Sequence, residues 1–86
     1  MTTTSALDEA FARKALPSPP ERKGLRVAAG LSARSVGRQL GVSGQAVLLW
    51  EAGDRAPRGG NLVAYVELLR QLAELEAFAL DGSGPG

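Results

Sequence analysis

The stretch QLGVSGQAVLLWEAG, Gln39 to Gly53, decides how this chain folds. Gly41 supplies the left-handed conformation that ends a helix, and Ser43 two residues on is suited to cap the start of another by accepting from a free backbone N–H. The predicted helix, Gly44 to Ala52, turns Val47 and Trp50 to one side, and Gly53 ends it. Upstream, Ser32 caps a short predicted helix, Ala33 to Leu40, whose apolar residues are Ala33, Val36 and Leu40. Gly37, four residues before Gly41, lacks a side chain where the two backbones must approach closely. Two short helices joined through such a turn have helix-turn-helix geometry.

Working outward, Ser5 to Leu16 (SALDEAFARKAL) contains no Gly or Pro and places Leu7, Ala10, Phe11 and Ala15 along one stripe, which predicts a first helix. PSPP, Pro17 to Pro20, reads as a stiff connector, with Pro20 suited to the first turn of the next helix. That helix is expected over Glu21 to Ala29, with Leu25, Ala28 and Ala29 inward and Gly30 as its stop. DRAPRGG, Asp54 to Gly60, is a loop by composition. Asn61 is expected to cap a last helix reaching Leu80, on which Leu62, Val66, Leu69 and Ala73 form one apolar stripe and Leu68, Leu72, Leu75 and Ala79 a second. The reading is therefore a single helical domain over 5–80, its helix-turn-helix at 32–53, between flexible ends at 1–4 and 81–86.

With 86 residues there is room for one domain, burying about 60% of the surface of its unfolded chain. The chain has neither cysteine nor histidine. This excludes disulfides and cysteine-ligated zinc, removes the commonest acid/base group, and suits a reducing cytoplasm. No apolar run is long enough to cross a bilayer and the start lacks a basic region followed by an apolar one, so a soluble intracellular protein is expected. The net charge of +1 conceals a partition. Residues 21–60 hold seven basic groups (Arg22, Lys23, Arg26, Arg34, Arg38, Arg55, Arg58) against Glu21, Glu51 and Asp54. Residues 61–86 hold Arg70 against Glu67, Glu74, Glu76 and Asp81. A basic middle and an acidic tail suggest that the middle meets a polyanion; solvated helix faces are the plainer alternative.

The strings LRVAAGLS, VGRQLGVS, AVLLWEAGDRAP and NLVAYVELL, in this order and spacing, resemble the DNA-binding domain of the lambda-repressor/Cro-like helix-turn-helix family, often called XRE-like. The resemblance covers about Leu25 to Leu69. It implies an all-α, five-helix, lambda-repressor-like domain that binds double-stranded DNA, with Gly44 to Ala52 lying in the major groove. On that helix Gly44, Gln45, Leu48, Leu49 and Ala52 form the face opposite Val47 and Trp50. Gln45 is suited to read adenine through N6 and N7, and Leu48 and Leu49 to meet thymine methyls, with Gly44 beside them as base-reading positions. Phosphate contacts are expected from Ser32, Arg34 and Ser43 at helix starts, Arg38 further along, and Arg55, Arg58 and Asn61 in or after the loop. The resemblance also implies a structural ion pair between Arg26 and Glu51, either partly buried and fixing the angle between helices or exposed and nearly neutral for stability.

Members of the family usually carry several polar side chains on the base-reading face, whereas here two leucines and a glycine stand there. An apolar face of this kind equally suits a protein partner, so a protein-interaction module of helix-turn-helix shape, a phage-coded inhibitor or an antitoxin, is the rival expectation. The principal expectation is a homodimeric transcriptional repressor that acts on the nucleoid by occluding a promoter. Its second copy is expected to join through the last helix, the first helix or both, and the distal half of the last helix, Leu72 to Leu80, to pack on the first helix or on that second copy. No catalytic group, cofactor, metal, small-molecule ligand or membrane is expected, because no nucleophile has a base near it in any recognisable spacing.

Overall fold

The computed structural model describes residues 5–80, so the expected flexible ends, 1–4 and 81–86, lie outside the described residues. Five α-helices and no strand occur among them: α1 (Ala6–Ala15), α2 (Pro19–Ala28), α3 (Ala33–Leu40), α4 (Gly44–Ala52) and α5 (Gly59–Leu80). Helix α5 is the spine. The others pack along it, α1 on its first half and α2 and α3 beside it, while α4 is held between α2 and α3.

Local chemistry explains most of the boundaries. The Ser5, Ser32 and Ser43 hydroxyls each accept the backbone N–H three residues on, at 3.0, 3.0 and 3.1 Å. Each satisfies one of the donors a helix start leaves free. Gly41 and Gly53 close α3 and α4 in the left-handed region, at φ 75° and 79°. The turn between α3 and α4 is tight because Gly37 has no side chain. A Cβ there would lie 2.6 Å from the Val42 carbonyl oxygen and 2.9 Å from the Ser43 carbonyl carbon and oxygen.

Four expectations need correction. Helix α2 begins inside PSPP, at Pro19: the Glu21 carboxylate accepts from both the Ser18 N–H (3.2 Å) and the Ser18 hydroxyl (2.7 Å), and two prolines occupy the first turn, where their missing donors cost nothing. Helix α5 begins at Gly59, with the Asn61 and Leu62 amides donating to the Arg58 carbonyl, so Asn61 lies within the first turn and does not cap it. On α1 the expected apolar stripe is left largely uncovered: Leu7 and Phe11 are 65% and 66% exposed, and Ala12, outside that stripe, is the buried residue. Phe11, Ala12 and Ala15 line a hollow between α1 and α5 with Gly60, Val63 and Ala64. Finally, the buried seam of α5 is Leu62, Tyr65, Leu69 and Leu72, between the two expected stripes, and its distal half lies against Ala28 and Ala29 of α2 and not against α1.

The core gathers Val36, Val47, Trp50, Tyr65, Leu69 and Leu72, with Leu16, Leu25, Leu31 and Leu40 packed around it. Trp50 and Tyr65 meet at 4.9 Å between ring centroids, tilted by 44°. The Tyr65 hydroxyl is buried and has no hydrogen-bond partner among the described residues. Burial first, and then the Glu51 charge, push its phenol up to about 12 from an ordinary 10.0. Because the folded state favours the neutral phenol, the associated stability is fully present below pH 10 and is lost as pH rises toward 12. The loss amounts to about 2 to 3 kcal/mol. Tyr65 is the only tyrosine, so phenolate absorbance reads it directly. Its ionisation is expected near pH 12 with stability to urea falling as pH rises from 10 toward 12, and Tyr65→Phe to remove this alkaline loss while being at least as stable at neutral pH. Reversible titration near pH 10 with the fold intact would contradict this account.

Candidate nucleic-acid interface

Helix α4 is apolar on both sides, so its orientation is set by what holds it. Inward, Val47 is fully buried and Trp50 nearly so. Outward, Gln45 and Ala52 are exposed, Leu48 is 46% exposed and Leu49 is half-buried. Gly44 departs from the expected outward face. A Cβ there would lie 3.1 Å from both the N and Cα of Arg34, so its side-chain direction points into α3.

The C-terminal end of α4 is fixed by α2. Arg26 Nε donates to Glu51 Oε2 at 2.6 Å and Arg26 Nη2 to Glu51 Oε1 at 2.9 Å, a two-pronged pair whose side chains are 12% and 4% exposed. Arg26 Nη1 also donates to the Leu31 carbonyl at 2.9 Å, tying in the segment that leads to α3. The Glu51 carboxylate holds the Arg26 guanidinium above its usual range, against the opposing effect of burial. The buried form of the expected pair is thus the one observed. Arg22, one turn earlier on α2, donates to the Trp50 carbonyl at 2.8 Å and the Pro17 carbonyl at 2.7 Å. Sequence reading did not single out Arg22 in this role: its partner is 28 residues away and is a backbone carbonyl.

The arginines separate into two groups. Arg13, Arg26 and Arg70 pair with carboxylates, and Arg22 is committed to carbonyls. Arg34, Arg38, Arg55 and Arg58 are exposed and have no acidic partner within 4.0 Å among the described residues. Arg34 and Arg38 line a hollow with Val42, Ser43 and Gly44 at the start of α4. Arg55, Arg58 and Asn61 line a groove on the other side of Val42, together with Ala46 and with Asp54, whose charge partly offsets theirs. Ser32 is exposed at the start of α3, apart from both hollows. Two basic edges therefore border the first turns of α4, where its N-terminal partial positive charge adds to them.

A cap-turn-cap pair of short helices, the second wedged on a small core, is a helix-turn-helix. The helix-turn-helix family HTH_3 matches residues 23–75, and the chain belongs to this family, which is of the XRE or lambda-repressor-like kind. Its members are DNA-binding regulators and generally not enzymes. No curated protein and no solved structure matches the chain. No helix among the described residues is long and apolar enough to cross a membrane.

Proposed function

We propose that the protein is a sequence-specific transcriptional repressor that acts on the nucleoid as a homodimer, with α4 of each copy in the major groove of a pseudo-palindromic site. Half-sites about one helical turn apart would let both copies engage one face of the duplex. The observation that carries this reading is the placement of Arg34 and Arg38 on one side of the α4 N-terminus and Arg55 and Arg58 on the other, all exposed. Phosphates on the two strands bordering a groove are the complementary pattern. Gln45, exposed on the outward face of α4, is the base-reading polar side chain, and Leu48 and Leu49 meet thymine methyls. Ser32, Ser43 and Asn61 add neutral phosphate contacts. Repression follows from occupancy alone, by occlusion of a promoter.

The distal half of α5 supports the dimer contact: Leu75 and Leu80, which line a hollow with Ala28 and Ala29 of α2, are 53% and 81% exposed. Leu75→Glu is expected to give a monomer by sedimentation equilibrium and to weaken binding to a two-half-site duplex while leaving thermal stability nearly unchanged.

Selection of bound fragments from random duplex DNA with the purified protein tests the main reading. Binding through about 6 to 10 phosphates should lose roughly 10³ to 10⁵ in affinity between about 50 and 200 mM salt. Arg58→Ala is expected to weaken all sequences alike and reduce the salt slope by about 1; Gln45→Ala is expected to relax preference at one base pair, a difference of about 1 to 3 kcal/mol. If Gln45→Ala leaves relative affinities for different sites unchanged, the base-reading assignment is wrong. The second reading, a protein-binding module, draws on the exposure of Leu48 beside half-buried Leu49. Affinity for a partner that barely responds to salt, together with no selected duplex, would favour it.

A further inference from the structure

The segment PSPPER, Pro17 to Arg22, closes on the end of α4. Pro19 opens α2 and its ring lies against Gly53, the residue that ends α4; a Cβ on Gly53 would sit 3.4 Å from Pro19 Cγ. One turn on, the Arg22 guanidinium bridges two backbone carbonyls, Pro17 at 2.7 Å and Trp50 at 2.8 Å. The Trp50 carbonyl already accepts from the Gly53 amide at 3.2 Å. Arg22 therefore occupies the second lone pair of a carbonyl in the last turn of α4, where the helix carries its partial negative charge. The start of α2, with the opposite partial charge, faces it. Arg26 grips the neighbouring residue, Glu51. Successive arginines on one face of α2 thus hold successive residues at the end of α4, one through a backbone carbonyl and one through a side chain.

We propose that Arg22 is a positioning residue for DNA reading: its bridge from the α1–α2 connector to Trp50 fixes the tilt of α4, and so the depth at which Gln45 and Leu48 reach base edges. This rests on the reading of α4 as the groove-entering helix. Val47 and Trp50 anchor α4 inward, but apolar contacts are not directional and leave the helix free to rock about its buried side. Arg26 restrains the Glu51 side chain, and Arg22 restrains the α4 backbone itself by a charge-assisted hydrogen bond to Trp50 whose donor is anchored on Pro17; together they oppose that rocking. Because Pro17 follows Leu16, the residue that ends α1 and packs on the core, the same bridge links the placement of α1 to the aim of α4. Arg22 is half-buried with its Nε and Nη1 engaged by the two carbonyls, which sets it apart from the exposed Arg34, Arg38, Arg55 and Arg58.

The test compares the wild type with Arg22→Met, which keeps the apolar stem and removes both bonds, and with Arg22→Lys, whose single ammonium suits one carbonyl better than a bridge between two. Affinities are measured for a duplex selected by the wild type and for random-sequence duplex, alongside amide exchange of residues 53–55. Arg22→Met is expected to lower the preference for the selected duplex about tenfold, the equivalent of one lost charge-assisted hydrogen bond, with random-sequence affinity and salt slope unchanged. The amides of residues 53–55 should exchange about tenfold faster while slow core amides hold, and Arg22→Lys should recover part of both effects. A lower melting temperature with unchanged preference and unchanged local exchange overturns the proposal. So does a parallel loss on both duplexes with a flatter salt slope, which would make Arg22 a phosphate contact. If the wild type selects no duplex, the DNA-reading function fails, while the exchange measurement still decides whether Arg22 fixes the end of α4.

Discussion

Arg26→Met is expected to be among the most damaging single substitutions in this protein, at about 3 to 5 kcal/mol, because it strands a buried carboxylate. A domain of this length has about 4 to 13 kcal/mol in total, so much of the population would unfold. The Glu51 side chain is 4% exposed and has no route to water that leaves α4 in place, whereas Arg26 at 12% has a long stem on which its head can swing outward. Arg26→Met also releases the Leu31 carbonyl. Glu51→Leu should therefore cost less than Arg26→Met, and the double substitution less than the sum of the two, since it removes both charges together. Urea denaturation midpoints at constant slope measure all three. Single substitutions that each shift stability by under about 0.5 kcal/mol would place the pair with ordinary surface ion pairs and refute this account.

The second large effect is at Gly37. Alanine in the middle of a helix normally gains about 1 kcal/mol over glycine. Here the added methyl would meet the Val42 and Ser43 backbone at 2.6 to 2.9 Å, and the Val42 amide is itself bonded to the Gly37 carbonyl at 2.8 Å. Backbone cannot swing away as a side chain does, so α3 and the turn must part. A net loss of about 2 to 3 kcal/mol is expected, with weakened preference for a selected duplex because the spacing of α3 and α4 changes. Gly24→Ala is the internal control. Its Cβ would meet nothing within 4 Å, and it should stabilise by about 0.4 to 1 kcal/mol. Equal thermal shifts of the same sign at the two positions would show that close approach at Gly37 has no energetic consequence.

What could be read from the sequence was what is decided locally. Gly41, Ser43 and Gly53 set the limits of α4 because a left-handed residue and a cap act within a few residues of themselves, and Val47 and Trp50 lie one helical turn apart. The start of α2 was equally local, since Ser18 and Glu21 have capping-box spacing. It was obscured by reading PSPP as a connector with Pro20 alone suited to the first turn, whereas Pro19 and Pro20 both occupy it. The α1 face was misread for a different reason. Helical spacing grouped Leu7, Ala10, Phe11 and Ala15 and passed over Ala12, which is the buried residue, while Phe11 lines the hollow between α1 and α5 and stays 66% exposed. Tyr65 fell between two leucine stripes, each periodic in its own right. Arg22 had no legible signal, because a carbonyl 28 residues away leaves no mark in side-chain pattern. Of the candidate DNA contacts, exposure and grouping follow from the fold, whereas the turning of Gly44 toward Arg34 depends on how closely α3 and α4 approach.

That turning of Gly44 limits how the protein can be retargeted. A variant library aimed at new binding preferences has to leave Gly44 and Gly37 alone and draw its diversity from Gln45, Leu48 and Ala52, where new side chains enter solvent instead of packed backbone. Lineages diverging from this chain face the same narrow choice, so changes in target should accumulate at those three sites and in the flanking arginines before they touch the scaffold.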